Sequence, residues 1–198
     1  MAYYHDKLKQ LKNLGDIDFV KFNIGDVVAT FRIVDDSDET VKLLSKWRDE
    51  YFDAFYDKFK VTEERTKIWV HKHVLDLPDR ILFMIIINGQ KVAHVGVYRY
   101  DEHDNSAELD NYLRGERGSY PGLMEKAELA LLKLMFEYLK LSKAKVSMFS
   151  DNYKIVNLHA SKIGCLAVGN RPFKRVFTDD GWVWEKTNLN SESEYGER

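Results

Sequence analysis

The sequence predicts a single mixed α/β (α+β) domain, and three observations carry that prediction. An apolar stripe at helical spacing follows a β-rich segment, and an Asn-Gly turn joins two apolar runs of strand length. Between residues 107 and 149 a strand, a glycine-bearing loop, a strong amphipathic helix and another strand follow one another. That last order is a βαβ unit, so part of the sheet is expected to be parallel with a right-handed crossover, while the hairpins make the rest antiparallel.

Taken in order, residues 1–27 read as an irregular or partly helical lead-in, with Leu8, Leu11 and Leu14 at a loose three-residue spacing. Val28 to Val34 is β-rich and stops at Asp35-Asp36-Ser37-Asp38, which can end a strand and cap a helix. Val41, Leu44, Trp47, Tyr51, Phe52, Phe55 and Phe59 then predict a helix of about five turns. Thr62, with Glu63 and Glu64 behind it, marks the start of a shorter helix through Trp69 to about His73, which Pro78 breaks. Ile81 to Ile87 and Val92 to Tyr100 flank Asn88-Gly89, a type I′ hairpin signal because both turn residues tolerate positive φ.

Ala107 to Leu113 is the next strand, and Leu123, Ala127, Ala130, Leu131, Leu134, Met135 and Tyr138 share one face of the helix that follows. Lys145 to Phe149 is read as a short strand. Asp151 or Asn152 can cap a helix that runs to about Ile163 and ends at Gly164. Val176 and Trp182 to Trp184 flank a turn at Asp179-Asp180-Gly181. The main domain is therefore placed at residues 28–186, with 187–198 as a polar, frayed tail.

At 198 residues the chain is long enough for one buried core, and 44% apolar against 31% charged residues argues against a disordered chain. A formal charge of −2, from 30 basic and 32 acidic residues, offers no field for a phosphate backbone, so nucleic acid is not expected as a partner. Cys165 stands alone, so no intrachain disulfide can form, which suits a reducing compartment; a cytoplasmic location is expected. Neither an export signal nor a membrane-spanning run is present, the longest apolar run being Ile81 to Ile87. His71 and His73 lie two apart and would diverge on a helix. With His94 and His103 they make no metal triad, and no metal is expected.

The stretch Arg114-Gly-Glu-Arg117-Gly118-Ser119-Tyr120-Pro121-Gly122 carries the most chemistry. Its glycines permit tight turning, helix N-terminal amides attract an anion, and two arginines add positive charge. A phosphate or diphosphate site and an ordinary surface loop between strand and helix both fit these residues.

The element order resembles the GNAT superfamily of N-acetyltransferases over roughly residues 28–186. In that family a Gln or Arg, two variable residues, Gly, one variable residue, and Gly or Ala form the pyrophosphate loop. Arg117 and Gly122 match its ends, and Tyr120 replaces the middle glycine. A second family signature, an Asn opening a helix that ends in a basic residue and Gly-Phe, is similar to Asn152 to Cys165 in Asn152, Leu158 and Gly164. His159 stands where the family has Tyr, and Cys165 where it has Phe.

The resemblance implies a mostly antiparallel twisted sheet with a central parallel strand pair and helices on both faces. It also implies acetyl-CoA as co-substrate, held by Tyr112, Leu113, Arg114, Arg117, Gly118, Ser119, Tyr120, Pro121, Gly122 and Asn152. Asn152 can equally be a plain helix cap. His159 is the candidate proton donor to the departing thiolate, or else a packed histidine. Glu108, with Asp110 second, is the candidate base that frees the acceptor amine of its proton; both can also be solvent-facing strand acids. Trp47, Arg48 and Trp69 would border the acceptor.

The expected function is acetyl transfer to a small amine such as an amino sugar or nucleotide-linked amino sugar. A protein N-terminal or lysine acetyltransferase, or an acyl-CoA-binding module without turnover, are the alternatives. A homodimer is compatible with all three.

Overall fold

Strands rich in Val, Ile and Phe, joined by tight turns, build the principal sheet, as their β-branched and aromatic side chains fit a pleated surface. A computed structural model describes residues 2–55, 57–116, 118, 120–169, 172–179 and 181–186, with backbone alone at 2 and 186. Its elements are α1 (Ala2–Lys12), β1 (Val20–Ile24), β2 (Val27–Ile33), α2 (Asp38–Glu50), β3 (Lys58–Phe59), α3 (Glu63–Val70), β4 (Ile81–Ile87) and β5 (Gln90–Asp101). Then come β6 (Ser106–Arg114), α4 (Leu123–Lys133), β7 (Lys143–Lys145), α5 (Tyr153–Asn157), β8 (Phe173–Thr178) and β9 (Gly181–Lys186). α3, α4 and α5 continue into wider π-type turns at His71–Leu75, Leu134–Tyr138 and Leu158–Ile163. Among the described residues no helix is long and apolar enough to cross a membrane.

Contacts divide the chain into two units, residues 1–40 with 67–147, and residues 41–66 with 148–198. The first holds a six-stranded sheet in the order β1-β2-β4-β5-β6-β7, antiparallel throughout except for the parallel pair β6-β7. This is the mixed, mostly antiparallel sheet with one parallel pair that the sequence predicts. β4 is buried along its whole length. Phe31, Phe83, Ile85, Val95, Val97 and Ala107 form a core with Leu8 and Leu11 of α1 and Leu123, Ala127 and Leu131 of α4.

The lead-in is more ordered than its sequence pattern suggests. Tyr4, Leu8 and Leu11 fall at four and three residues and are buried, the two leucines each worth about 1.5–3 kcal/mol against exposure, which docks α1. Lys12 at its end donates to the carbonyls of Val74 and Leu75, both at 2.9 Å, closing the π-type turn after α3. Residues 20–24 form an edge strand where the sequence pattern predicts only an irregular or partly helical lead-in.

The Asn88-Gly89 turn has φ of 50° and 76°, the pair of positive values that its type I′ geometry requires. Ser37 caps α2, its hydroxyl accepting from the Thr40 amide at 3.3 Å, while the Asp35 carboxylate accepts from the Ser37 amide and the Thr40 hydroxyl.

In the second unit α2 ends at Glu50, short of the five turns expected through Phe59. Residues 52–54 form a 3₁₀ turn, and Lys58 and Phe59 leave it to pair with Trp182 and Gly181 of β9. Phe55 and Phe59 instead stack beneath the Arg48 guanidinium, so tertiary contacts override the helical spacing. β3, β9 and β8 make a small antiparallel sheet. Thr62 caps α3 as expected, accepting from the Arg65 amide at 3.2 Å. The strand expected at 145–149 lies instead at Lys143–Lys145, with no strand over 146–149. Asp180, in the expected hairpin turn, and the tail 187–198 lie outside the described residues.

Candidate active site on strand β6

β6 carries both candidate bases, Glu108 and Asp110, with Tyr112, Leu113 and Arg114, and its two edges are treated differently. Along β5 it pairs almost throughout, while β7 pairs with it only at Ser106, Ala107 and Glu108. From Leu109 to Arg114 no strand among the described residues takes up that second edge. The divergence begins close to a bulge. Against β5, His94 sits opposite Leu113 and Gly96 opposite Asp110, so β6 spends one residue more than β5 over the same span. Asn111 absorbs the extra length at φ 47°, a left-handed value that Asn tolerates better than most residues.

At the bulge the Asn111 carbonyl meets the His94 ring, whose Nδ1 lies 2.6 Å from that oxygen. His94 is 4% exposed, and burial pushes its pKa down to about 4, against the opposing pull of the Asn111 carbonyl and Asp110. The ring is therefore neutral at pH 7, and a carbonyl neighbour fixes its one proton on Nδ1. Gly96 is needed beside it: a Cβ there would stand 2.6 Å from the Ile81 carbonyl oxygen and 3.3 Å from that of Asp110.

Glu108 and Asp110, two residues apart on β6, are both engaged by arginines. Asp110 Oδ2 accepts from Arg80 Nε at 2.6 Å, the two side chains being 18% and 11% exposed. Arg80 also lies over the rings of Trp69 (5.3 Å) and Tyr98 (4.5 Å), which places Trp69 against the bridge. Glu108 is 25% exposed and accepts from Arg99 Nη1 at 3.0 Å, an arginine that is itself 60% exposed. Of the two acids, Glu108 is held by the looser partner.

After β6 the chain turns sharply. The Gly115 and Glu116 amides both donate to the Val92 carbonyl, at 3.0 and 2.9 Å, and Arg114 Nε donates to the Glu116 carbonyl at 3.1 Å. Gly118 and Gly122 have φ of 94° and 79°, and a Cβ on either would meet nothing within 4 Å, so both stand beside open space. Tyr120 turns its carbonyl onto the Leu123 amide at 3.1 Å, and Pro121 precedes the glycine that caps α4. The remaining first-turn amides of α4 cannot be satisfied by the helix itself and carry its positive end. Arg117 and Ser119, expected in this loop, lie outside the described residues.

Leu113 is buried, and Tyr112 turns toward α4, where burial first and the Glu128 carboxylate next hold its phenol well above the ordinary range. Tyr112 is thus a neutral, packed side chain, and what its residue offers the open edge is main chain.

The other sequence-predicted residues belong to the second unit. Trp47 is fully buried. Arg48 lies 3.6 Å from the centre of the Phe55 ring and donates to the Asp57 carbonyl at 2.7 Å; burial pushes its pKa down to about 10, against Asp57. Phe59, under the same guanidinium, also lines a concavity of about 400 Å³ with Asp49, Phe52, Lys60 and Trp182. Asn152 caps α5, its side chain accepting from the Ile155 amide at 3.4 Å, so its helix-cap role is present. His159 is buried in the π-type turn after α5, and its carbonyl accepts from the Cys165 amide at 2.8 Å.

The sequence reading missed Arg80, His94 and Asn111. Only a weak signal marked them, an Asn within an otherwise alternating strand, because the bulge depends on register between two strands.

No protein-family model matches the chain, and no curated protein matches it in sequence. Solved structures do match. A nucleotide-linked sugar GNAT, FdhC in its apo form, superposes with a TM-score of 0.59 at 12% identity, covering 85% of this chain and 88% of its own. Mutant forms of the spermidine/spermine N-acetyltransferase SpeG from Vibrio cholerae give 0.60 at 13%, covering 80% and 91%. A GNAT-family acetyltransferase from Bacillus anthracis gives 0.59 at 17%, covering 82% and 93%. The chain has the fold of the GNAT acetyltransferases.

Proposed function

We propose that the protein is an acyl-CoA-dependent N-acetyltransferase of the GNAT type, moving an acetyl group from acetyl-CoA to a primary amine by direct attack. One observation carries the reading: β7 leaves β6 after Glu108, and the strand edge so opened runs into a glycine-bearing loop at the N-terminus of α4. An unpaired strand edge offers main-chain donors and acceptors to an extended amide-bearing arm, and helix N-terminal amides favour a diphosphate. The open space at Gly118 and Gly122 lets backbone approach such a ligand closely. Acetyl-CoA carries all three features: a diphosphate, an arm with two amides, and a thioester.

Transfer requires a neutral amine, whose lone pair forms the C–N bond as the C–S bond breaks and the thiolate leaves. Glu108 is the proposed proton acceptor, directly or through a water, because its partner Arg99 is largely solvent-exposed; Asp110, paired with the shielded Arg80, is second. His159 as proton donor to the thiolate, Asn152 at the coenzyme arm, and Trp47, Arg48 and Trp69 at the acceptor rest on the resemblance and are tested by substitution. The acceptor proposed is a small amine, an amino sugar or nucleotide-linked amino sugar; one of the matching structures is a nucleotide-linked sugar GNAT. A cytoplasmic location is part of the proposal and is supported by the single cysteine, Cys165.

A second reading, an acyl-CoA-binding module without turnover, is favoured by a single fact: both β6 carboxylates are ion-paired. Thiol release from acetyl-CoA over a panel of amino sugars, nucleotide-linked amino sugars, polyamines and peptides separates the readings. Release with a small amine supports the first, release only with peptides makes the protein a peptide or lysine acetyltransferase, and coenzyme binding without release under any acceptor supports the module.

A further inference from the structure

We propose that His94 is a positioning residue for the co-substrate: its imidazole holds the Asn111 carbonyl inside the β6 bulge and thereby sets the path of Tyr112–Arg114 along the open edge. The inference deepens the function proposed above and rests on it for the identity of the ligand.

The geometry is specific. The extra residue falls between Asp110 and Leu113, and the residue across from Leu113 is His94 itself. Left-handed Asn111 stands at the bulge, where its carbonyl needs a hydrogen-bond partner, and losing one costs about 0.5–1.5 kcal/mol. Nδ1 of His94, at 2.6 Å, meets that need from the neighbouring strand.

The bulge could otherwise relax in one way, by slipping β6 one residue against β5. Such a slip exchanges the two faces of the strand beyond Asp110, turning Leu113, now buried, outward. The imidazole contact favours the bulged register over the slipped one. Beyond Glu108 the second edge of β6 has no strand partner among the described residues, so the bulge, and not β7, fixes which main-chain groups face that edge.

A buried histidine that only fills space would behave differently on substitution. Asn places an N–H donor near the Nδ1 position, Leu keeps apolar bulk without a donor, and Gln moves the donor one bond farther out. Two measurements are made on the full chain. Amide hydrogen exchange of the ligand-free protein over residues 107–116 reads the bulge, and calorimetric titration with coenzyme A reads its consequence.

His94→Leu is expected to speed exchange over Asn111–Arg114 at least tenfold beyond any global change and to weaken coenzyme A binding at least tenfold. His94→Asn, although it also lowers the melting temperature, is expected within about threefold of the parent in both. Should His94→Leu not fold, His94→Gln takes its place, with losses in the same two readings. Leu and Asn variants equally impaired, or a Leu variant with parental exchange and affinity, would overturn the proposal. If the parent protein itself binds no coenzyme A, the proposed function falls, and the exchange data alone decide whether His94 pins the bulge.

Discussion

Arg80 Nε donates to Asp110 Oδ2 at 2.6 Å, and the same guanidinium bonds the His73 carbonyl at 3.0 Å and lies over the Trp69 and Tyr98 rings. One side chain thus ties the entry of β4, the middle of β6 and the turn after α3. It does so at the β6 residue that precedes the bulge.

Both partners of this bridge are largely shielded from water, so removing one leaves a charge without compensation. Arg80→Met is expected to destabilise the protein by about 2–4 kcal/mol in urea unfolding, and Arg80→Met with Asp110→Asn to recover a good part of that loss. Additive losses in the double variant would show that the bridge is not the source of the effect.

Glu108→Gln is expected to lower kcat/KM by about 100-fold or more with coenzyme A affinity unchanged, the size of effect that losing a general base produces. Arg99→Ala is expected to leave affinity for the coenzyme unchanged as well. If Asp110→Asn abolishes turnover while Glu108→Gln does not, the base belongs to Asp110.

His94 makes stability depend on pH in a defined window. In the unfolded chain it takes up a proton near pH 6.5, and in the folded protein only near pH 4. Between those values the unfolded state binds more protons, so stability present above about pH 6.5 is lost as the pH falls and levels off below 4, about 3 kcal/mol in all. The stability difference between the parent and His94→Asn is expected to shrink over this window in urea unfolding at stepped pH. Parallel profiles would contradict the assignment.

Two glycines separate space from backbone strain. Gly96→Ala forces a Cβ to within 2.6 Å of a carbonyl oxygen, and a loss of at least about 2 kcal/mol is expected. Gly122→Ala meets no atom but must hold φ at 79°, for about 1 kcal/mol, together with weaker coenzyme binding at the α4 N-terminus. Thermal melts and titration with coenzyme A read both; equal melting temperatures for the two variants would contradict the distinction.

What could be read from sequence was local. Asn88-Gly89, the Thr62 cap, the α4 stripe and Gly164 after the α5 turn each depend on a few neighbouring residues, and each is found in the fold. What could not be read depended on distant partners. The seven-residue apolar stripe of Val41 to Phe59 has helical spacing throughout. Nothing in it shows that Phe55 and Phe59 will stack under Arg48, or that Lys58 will pair with Trp182. Likewise Val20 to Ile24 is short, and its partner β2 is what makes it a strand. At the site, Glu108 and Asp110 were visible as a two-residue repeat on a strand, while Arg80 comes from the residue before β4 and Arg99 and His94 from β5, with no pattern to announce them.

The central claim is that the open edge of β6 and the N-terminus of α4 grip acetyl-CoA. Amide hydrogen exchange with and without saturating acetyl-CoA tests it most directly, with saturation expected below about 1 mM, the usual range for an enzyme's substrate. Slowed exchange concentrated in Leu109–Arg114 and Leu123–Glu125 is the expected result. Unchanged exchange in both segments at saturation, or a failure to saturate, would contradict it.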